Sequence, residues 1–197
     1  MGIDATFERI TNAALTLLLQ RGVRRTTLAD VAYEAGVTRV TIYRYCKDKR
    51  GMVRAACMRI AAIFQKAATG GVIDIDLRLS QLGKDLSELP KGNLLARFEE
   101  IGQLYPEVYE EFRAARHGAI DQLFRQTLSA ATQERTLREE INLDVLKVLF
   151  WAAVMGLVEN SALISSNISL AEIFATVTEV FQHGVLKASA AGEGYVP

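Results

Sequence analysis

The chain has 197 residues, half of them hydrophobic, and a formal net charge of zero at pH 7. This length fits one or two compact units with a sizeable core. The longest uncharged apolar run, 148–158, is well short of the about 20 residues that a membrane-spanning helix needs. Early charged residues argue against a signal peptide. Cys46 and Cys57 lack the spacing of a zinc site, so we expect a cytoplasmic protein with reduced thiols, no metal and no other cofactor.

The charge is unevenly distributed along the chain. Residues 1–55 contain ten Lys/Arg and five Asp/Glu, a net charge of +5, so the remaining 13 basic and 18 acidic residues carry −5. A basic N-terminal part on an acidic body is typical of a protein that binds DNA through one end. Taken alone, the same surplus also fits an ordinary solvated surface.

The first predicted helix begins after Asp4 and runs to about Gln20. Its apolar face consists of Phe7, Ile10, Ala14, Leu17 and Leu18. Gly22 ends this helix. Arg24 and Arg25 then precede the next helix, where basic side chains and free backbone amides suit a phosphate group.

Two short helices joined by a tight turn are predicted within residues 26–49. Thr27 is a good N-cap, and Asp30 is its capping-box partner. Gly36 occupies the position where a helix ends in the left-handed conformation, and Thr38 can cap the second helix. Ile42 points inward from that helix. This layout is a helix-turn-helix, whose second helix can enter the major groove of DNA.

The segment AGVTRVTIYRYCKDK resembles the helix-turn-helix and the following capped turn of the TetR (tetracycline repressor-like) family, roughly A-G-V-S-x-G-T-L-Y-x-Y/H-F-x-x-K. The resemblance covers about the first third of the chain. Val40 stands where the family often has Gly, and Arg50-Gly51 stands where Glu-Ala is common. The resemblance implies an all-α fold of about nine helices. We expect a DNA-binding domain over 1–48, with its helix-turn-helix at 27–46, and an effector-binding and dimerisation domain over 49–197.

Base reading is assigned to the first residues of the second helix of this motif. Arg39 can make a bidentate contact to guanine, and the methyl groups of Val40 and Thr41 suit a thymine methyl. Two such helices in a dimer would reach half-sites separated by one DNA turn, about 34–36 Å, or by a multiple of it.

Other residues of the motif are assigned to the DNA backbone. By similarity to the family's pattern, the phosphate contacts are Thr27, Thr38, Tyr43 and Lys49, which position the domain without reading bases. Arg44 is either a further DNA contact or a solvated charge. Tyr45 is expected to pack in the core, and Tyr43 is expected at the surface.

The fourth predicted helix, 49–68, is capped by Asp48 and connects the DNA-binding part to the body. Residues 72–92 show both a strand-like alternation and a helical leucine spacing. An isolated strand would lack a partner in an all-helical protein, so we predict a loop and a short helix there.

Four further helices complete the body. Asn93 caps a helix through Tyr105, and Pro106 begins a long helix that ends near 131. Asn142 and Ser169 cap two closing helices, at about 143–164 and 170–188. The first of the two is apolar nearly all round, so it must be buried on most sides. We therefore expect both to form a four-helix interface with a second copy of the chain, as the TetR resemblance also implies.

The resemblance also implies that a small-molecule effector enters the body between the middle helices. The candidate effector contacts are Phe98, Tyr105, Tyr109, Phe112, Trp151, Met155 and Glu159. Aromatic residues at helical spacing are more often core. Asn160 and His117 are nearby polar residues, and an intersubunit hydrogen bond or an exposed helix end also explains Glu159 and Asn160. The sparse polar set favours a mostly apolar or aromatic effector.

These features predict a DNA-binding transcriptional regulator, acting as a homodimeric repressor of a palindromic operator that a small molecule releases. One alternative is an activator or an orphan regulator of the same family without an effector. Another is a helical ligand-binding or scaffold protein without a DNA role. An enzyme is disfavoured, because the sequence contains no nucleophile elbow, phosphate loop or paired catalytic carboxylates.

Overall fold

The computed structural model of the chain describes residues 5–69, 75–158, 160–166 and 168–185. Within these ranges the chain forms ten helices, which confirms the all-α prediction. They are α1 (Ala5–Arg21), α2 (Leu28–Glu34), α3 (Arg39–Cys46), α4 (Lys49–Thr69), α5 (Ile75–Ser87), α6 (Leu94–Leu104), α7 (Pro106–Gln133), α8 (Leu143–Val158), α9 (Ser161–Ile164) and α10 (Leu170–Val185). None of the helices in these ranges is both long and apolar enough to cross a membrane.

The first three helices share one core. α1 contacts α2 and α4, while α3 contacts α2 and α4. Ile10 and Leu17 of α1, Val31 of α2 and Ile42 of α3 are at most 1% exposed. Removing a buried side chain of this kind costs about 2–5 kcal/mol. This packing therefore sets the direction in which α3 faces solvent.

The helices α1, α2 and α3 are called the head below, and the helices from α5 onward are called the body. α4 links the two, because it packs against α1 and, most extensively, against α7. Its basic N-terminal half lies beside the acidic start of α7. Arg54 Nε donates to Glu111 Oε2 at 2.6 Å, and Arg50 lies 3.8 Å from a carboxylate oxygen of Glu107. Two of the ten basic residues in 1–55 are thus paired with the body. The division of the chain at 48/49 stays a prediction.

Residues 75–87 are helical, so the strand-like alternation does not describe them. Leu82 and Leu86 of α5 are buried and Leu79 is half-buried, as the leucine spacing predicts. A strand at the same place would have left its backbone groups without partners. Residues 72–74 lie outside the described ranges.

The predicted helix caps are present. The side chains of Asn93, Asn142 and Ser169 each accept a hydrogen bond from a backbone amide in the first turn of α6, α8 and α10. Asp48 Oδ1 accepts from Gly51 N at 2.7 Å at the start of α4, and Pro106 begins α7. These interactions are local, which is why the sequence predicts them correctly.

The prediction of one continuous helix at about 143–164 is wrong in one respect. α8 ends at Val158, and a short helix, α9, follows. Asn160 accounts for this break, because its Oδ1 accepts from the backbone amides of Ala162 at 2.9 Å and Leu163 at 3.4 Å. Asn160 is thus an exposed helix cap. Glu159, a candidate effector contact, lies outside the described residues.

Candidate nucleic-acid interface and effector cavity

The turn between α2 and α3 has the geometry that its residues predict. Thr27 and Asp30 form a reciprocal capping box at the start of α2. The hydrogen bonds from the hydroxyl and the amide of Thr27 hold the pKa of the Asp30 carboxyl below its usual value. Gly36 has φ +63°, a conformation that glycine adopts without steric cost. Thr38 then caps α3 by accepting from Thr41 N at 3.1 Å.

α3 is anchored on one side and exposed on the other. Ile42 and Cys46 are buried against the head core. Arg39 is exposed, Val40 is 81% exposed and Tyr43 is 54% exposed. Val40 is therefore accessible to a partner surface. Three of the predicted DNA contacts, Arg39, Val40 and Tyr43, therefore lie on the exposed face of α3.

Two other predicted contacts have partners within the chain. Thr41 Oγ1 lies 2.9 Å from Thr38 Oγ1. Lys49 Nζ donates to the carbonyl oxygen of Arg24 at 2.9 Å, so it ties the start of α4 to the turn before α2. Tyr45, predicted as a core residue, is half-buried and packs against Phe7 with ring centroids 5.8 Å apart.

Sequence reasoning did not single out Tyr33, which is 89% exposed on α2. The sequence signal for this exposed tyrosine is its position on the polar face of a short amphipathic helix. Arg44, in contrast, places its guanidinium 5.1 Å from the centre of the Tyr45 ring. This contact accounts for the position of Arg44 without DNA.

The turn between α1 and α2 is held by a carboxylate of the body. Glu100 of α6 accepts hydrogen bonds from the backbone amides of Val23 and Arg24, both at 3.1 Å. Arg97 donates to the same carboxylate at 2.6 Å. Gly22 has φ +82°, and a Cβ there would lie 2.5 Å from Arg97 Nη1. Together with Lys49, Glu100 engages both the N–H and the C=O of Arg24.

We expect Glu100→Ala to lower the free energy of unfolding by about 1–3 kcal/mol, because hydrogen bonds to a charged acceptor are lost at two amides and one guanidinium. Urea denaturation of the full chain measures this change. Glu99→Ala is the matched control, since Glu99 is an exposed neighbour on the same helix. Equal midpoints for the two variants would contradict a structural role for Glu100.

An apolar cavity of about 170 Å³ lies in the body between α4, α5, α7, α8 and α10. Its aromatic lining consists of Phe64, Phe124, Phe150, Phe174 and Phe181. Among the described residues that line it, only Arg116, Thr127 and Thr178 are polar. A concave, mostly apolar site with few polar groups is typical of a small-molecule pocket.

The six described candidates for effector contact, Phe98, Tyr105, Tyr109, Phe112, Trp151 and Met155, do not line this cavity. Phe98 and Phe112 pack against each other in the core with ring centroids 4.7 Å apart. Trp151 stacks on His117 at 3.8 Å. Burial lowers the pKa of His117, and the nearby Arg116 and Arg113 charges add to this effect. The cavity residues lie instead on neighbouring turns of α7 and α8, on α4, α5 and α10, and at Leu137 between α7 and α8.

Comparison with known proteins agrees with the geometry of the head. A family model described as bacterial regulatory proteins, tetR family, matches residues 10–56. Over 50 residues the chain is 44% identical to YvkB, an uncharacterized HTH-type transcriptional regulator of Bacillus subtilis (strain 168), covering 25% of this chain and 26% of YvkB. Over 103 residues it is 33% identical to the HTH-type transcriptional regulator AqdR of Rhodococcus erythropolis, covering 51% of this chain and 49% of AqdR. The matched segments thus span about a quarter and about half of these relatives.

The fold is similar to that of a solved regulator over nearly its whole length. The SmeT–triclosan complex has a TM-score of 0.58 and 20% identity, covering 98% of each chain. SmeT is the repressor of the Stenotrophomonas maltophilia multidrug efflux pump SmeDEF. At this identity the likeness concerns the fold. The relatives are regulators, which confirms the expectation that the chain is not an enzyme. With its capped helix-turn-helix and its all-helical fold, the chain is similar to the TetR family of bacterial regulatory proteins, whose model matches residues 10–56.

Proposed function

We propose that the protein is a homodimeric repressor that binds a palindromic operator and is released by a small, mostly apolar effector. The observation that carries this proposal is α3, which is anchored by Ile42 and presents Arg39, Val40 and Tyr43 to solvent. A helix that is anchored on one face and exposes its N-terminal residues on the other fits the major groove of DNA. The same exposed surface favours a DNA role over a scaffold without one.

The homodimer is supported by an apolar stripe on α8. Val145, Val148 and Leu149 are 64%, 70% and 58% exposed, at the spacing of one helix face. Val180 of α10 is a further exposed apolar residue, at 62%. Burying such a side chain contributes about 1.5–3 kcal/mol. A second copy of the chain presents the same stripe, so the two can pair around a two-fold axis.

The release mechanism is supported by the position of α4. Phe64 of α4 lines the cavity, and Lys49 at the other end of the same helix contacts the turn before α2. A ligand that displaces Phe64 would tilt α4 and move the head. SmeT, whose fold is similar, has been solved with triclosan, a small-molecule complex of the kind that this site would accept.

The operator can be found by selecting bound sequences from a random DNA library with the purified full chain at a fixed, near-physiological salt concentration. We expect an enriched palindrome whose half-sites are separated by one DNA turn, about 34–36 Å, or a multiple of it. Arg39→Glu, which reverses one charge on the outer face of α3, serves as the non-binding control. Binding that is weak, without enrichment and fully dependent on salt would contradict the proposal.

An activator and an orphan regulator remain alternatives within the same family. A reporter gene carrying the selected operator distinguishes a repressor, which lowers expression of the reporter, from an activator, which raises it. Titration of apolar and aromatic compounds against the operator complex then tests for an effector.

A further inference from the structure

A carboxylate of the body holds the turn between α1 and α2 from outside the head. Each oxygen of Glu100 accepts a hydrogen bond from one backbone amide, Oε2 from Val23 and Oε1 from Arg24, both at 3.1 Å. Arg97 Nη1 donates to Oε2 at 2.6 Å and keeps the carboxylate in place. The side chain of Glu100 is only 19% exposed, and hydrogen bonds to a charged acceptor that is shielded from water are strong. The carboxylate therefore constrains both the position and the orientation of the turn.

The turn is in its own right firmly joined to the rest of the head. Thr26 is 0% exposed, and its hydroxyl donates to the carbonyl oxygens of Gly22 at 2.8 Å and Leu17 at 3.2 Å. Val23 is also 0% exposed and belongs to the hydrophobic core of the head. A displacement of this turn would therefore move α1 and α2 with it.

α6 approaches the end of α1 closely at two glycines. A Cβ at Gly92, just before α6, would lie 2.9 Å from Leu19 Cβ, which leaves no room for a side chain. A Cβ at Gly22 would lie 2.5 Å from Arg97 Nη1, so a side chain there would require Arg97 to leave its place beside Glu100. The contact between α6 and the head is thus direct.

The head is held through two different helices. One is α4, whose contact with α1 lies within the shared hydrophobic core. Apolar packing is non-directional, so this contact alone restrains rotation of the head about α4 only weakly. The other is α6, whose Glu100 makes directional hydrogen bonds. Lys49 at the start of α4 donates to the carbonyl oxygen of Arg24 at 2.9 Å, so both attachments meet at Arg24.

We propose that Glu100 is a positioning residue for DNA binding, which fixes the angle of the head on the body and thereby the separation of the two α3 helices in the dimer. This inference rests on the proposed homodimer and its palindromic operator. Two linked heads bind tightly only when their separation matches that of the half-sites. A head held by Glu100 is preorganised for one separation, whereas a head without this contact would adopt several angles and bind with lower affinity.

The alternative role for Glu100 is to stabilise the fold and nothing more. The two roles differ in their consequences for folded protein. A residue that only stabilises the fold leaves the preferred separation of the half-sites unchanged, whereas the loss of a positioning residue relaxes that preference.

The test uses the operator selected with the purified full chain, two versions with one base pair added or removed at the centre, and a DNA with a single half-site. One added base pair moves a half-site by about 3.4 Å and by about a tenth of a turn. Fluorescence anisotropy at a fixed salt concentration measures the affinities. We expect the wild-type protein to bind the altered spacings about 10- to 100-fold more weakly than the operator, because part of the linkage between the heads is lost.

Glu100→Ala should bind the operator more weakly than the wild type does and should discriminate between the spacings only a few-fold. Its affinity for the single half-site should equal that of the wild type, because the exposed face of α3 is intact. Exchange of the amide hydrogens of Val23 and Arg24 should be faster, which links the effect to the two hydrogen bonds.

Two further variants complete the comparison. Glu99→Ala is the matched control, because Glu99 is an exposed neighbour on α6, and it should keep the wild-type discrimination. Glu100→Gln retains one side-chain oxygen as an acceptor, so its discrimination should be intermediate. If Glu100→Ala does not fold, as judged by circular dichroism, Glu100→Gln carries the same comparison.

The outcomes separate this inference from the proposed function. A selected operator together with wild-type discrimination between spacings in the Glu100 variants would overturn the positioning role alone. Loss of half-site binding in these variants would also overturn it, because the head itself would then be damaged. Failure of the wild-type protein to select any operator would overturn both the proposed function and this inference.

Discussion

Replacing Val148 with glutamate is expected to convert the proposed dimer into monomers and to abolish tight operator binding. Val148 lies at the centre of the exposed apolar stripe of α8 and is 70% exposed in the single chain. In a two-fold interface the change would place two carboxylates, one from each copy, in an apolar contact. Burying these charges would cost several kcal/mol. Each head alone would then bind one half-site, and the loss of linkage lowers operator affinity by roughly 10²- to 10⁴-fold.

Sedimentation velocity measures the oligomeric state, and a gel-shift titration measures operator affinity. Lys147→Glu is the matched control, because Lys147 is an exposed neighbour outside the apolar stripe. The fold should survive in both variants, since Val148 makes little contact within its own chain. A Val148→Glu protein that remains a dimer would show that the stripe is not the interface.

Arg39→Ala is expected to relax the preference for one base pair in each half-site. Arg39 is exposed at the start of α3, where a bidentate contact to guanine is worth about 1–3 kcal/mol of discrimination. Because a palindrome contains the contact twice, the penalty for the operator is about twice that of one half-site. Affinity for operators mutated at that base pair should change little.

Lys49→Ala provides the contrast for this experiment. The substitution should weaken binding to all sequences by a similar factor. This holds whether Lys49 contacts a phosphate or acts only through its hydrogen bond to the Arg24 carbonyl. Fluorescence anisotropy with the selected operator and with single-base-pair variants of it distinguishes the two patterns. Uniform weakening by Arg39→Ala would assign that residue to the DNA backbone.

The local features of this protein follow from the sequence. The caps at Thr27, Thr38, Asn93, Asn142 and Ser169 each depend on a side chain and a backbone amide two or three residues further along the chain. Such interactions are complete within one turn of helix, so residue type and spacing determine them. The same is true of Gly36, whose positive φ ends α2. The outer face of α3 was predictable because Ile42 sets which side is buried.

Contacts between distant segments depend on the tertiary structure. Glu100 of α6 binds amides 76 and 77 residues before it, and the cavity is assembled from five helices. Aromatic residues at helical spacing indicate burial, but periodicity cannot distinguish a packed core from the wall of a cavity. Phe98 and Phe112 fill the core, whereas Phe124 and Phe174 line the cavity. The sequence by itself therefore determined most of the helices, their caps and the exposed face of α3. The three-dimensional packing of α4, α5, α7, α8 and α10 decided where the cavity lies and placed Arg116 at its wall.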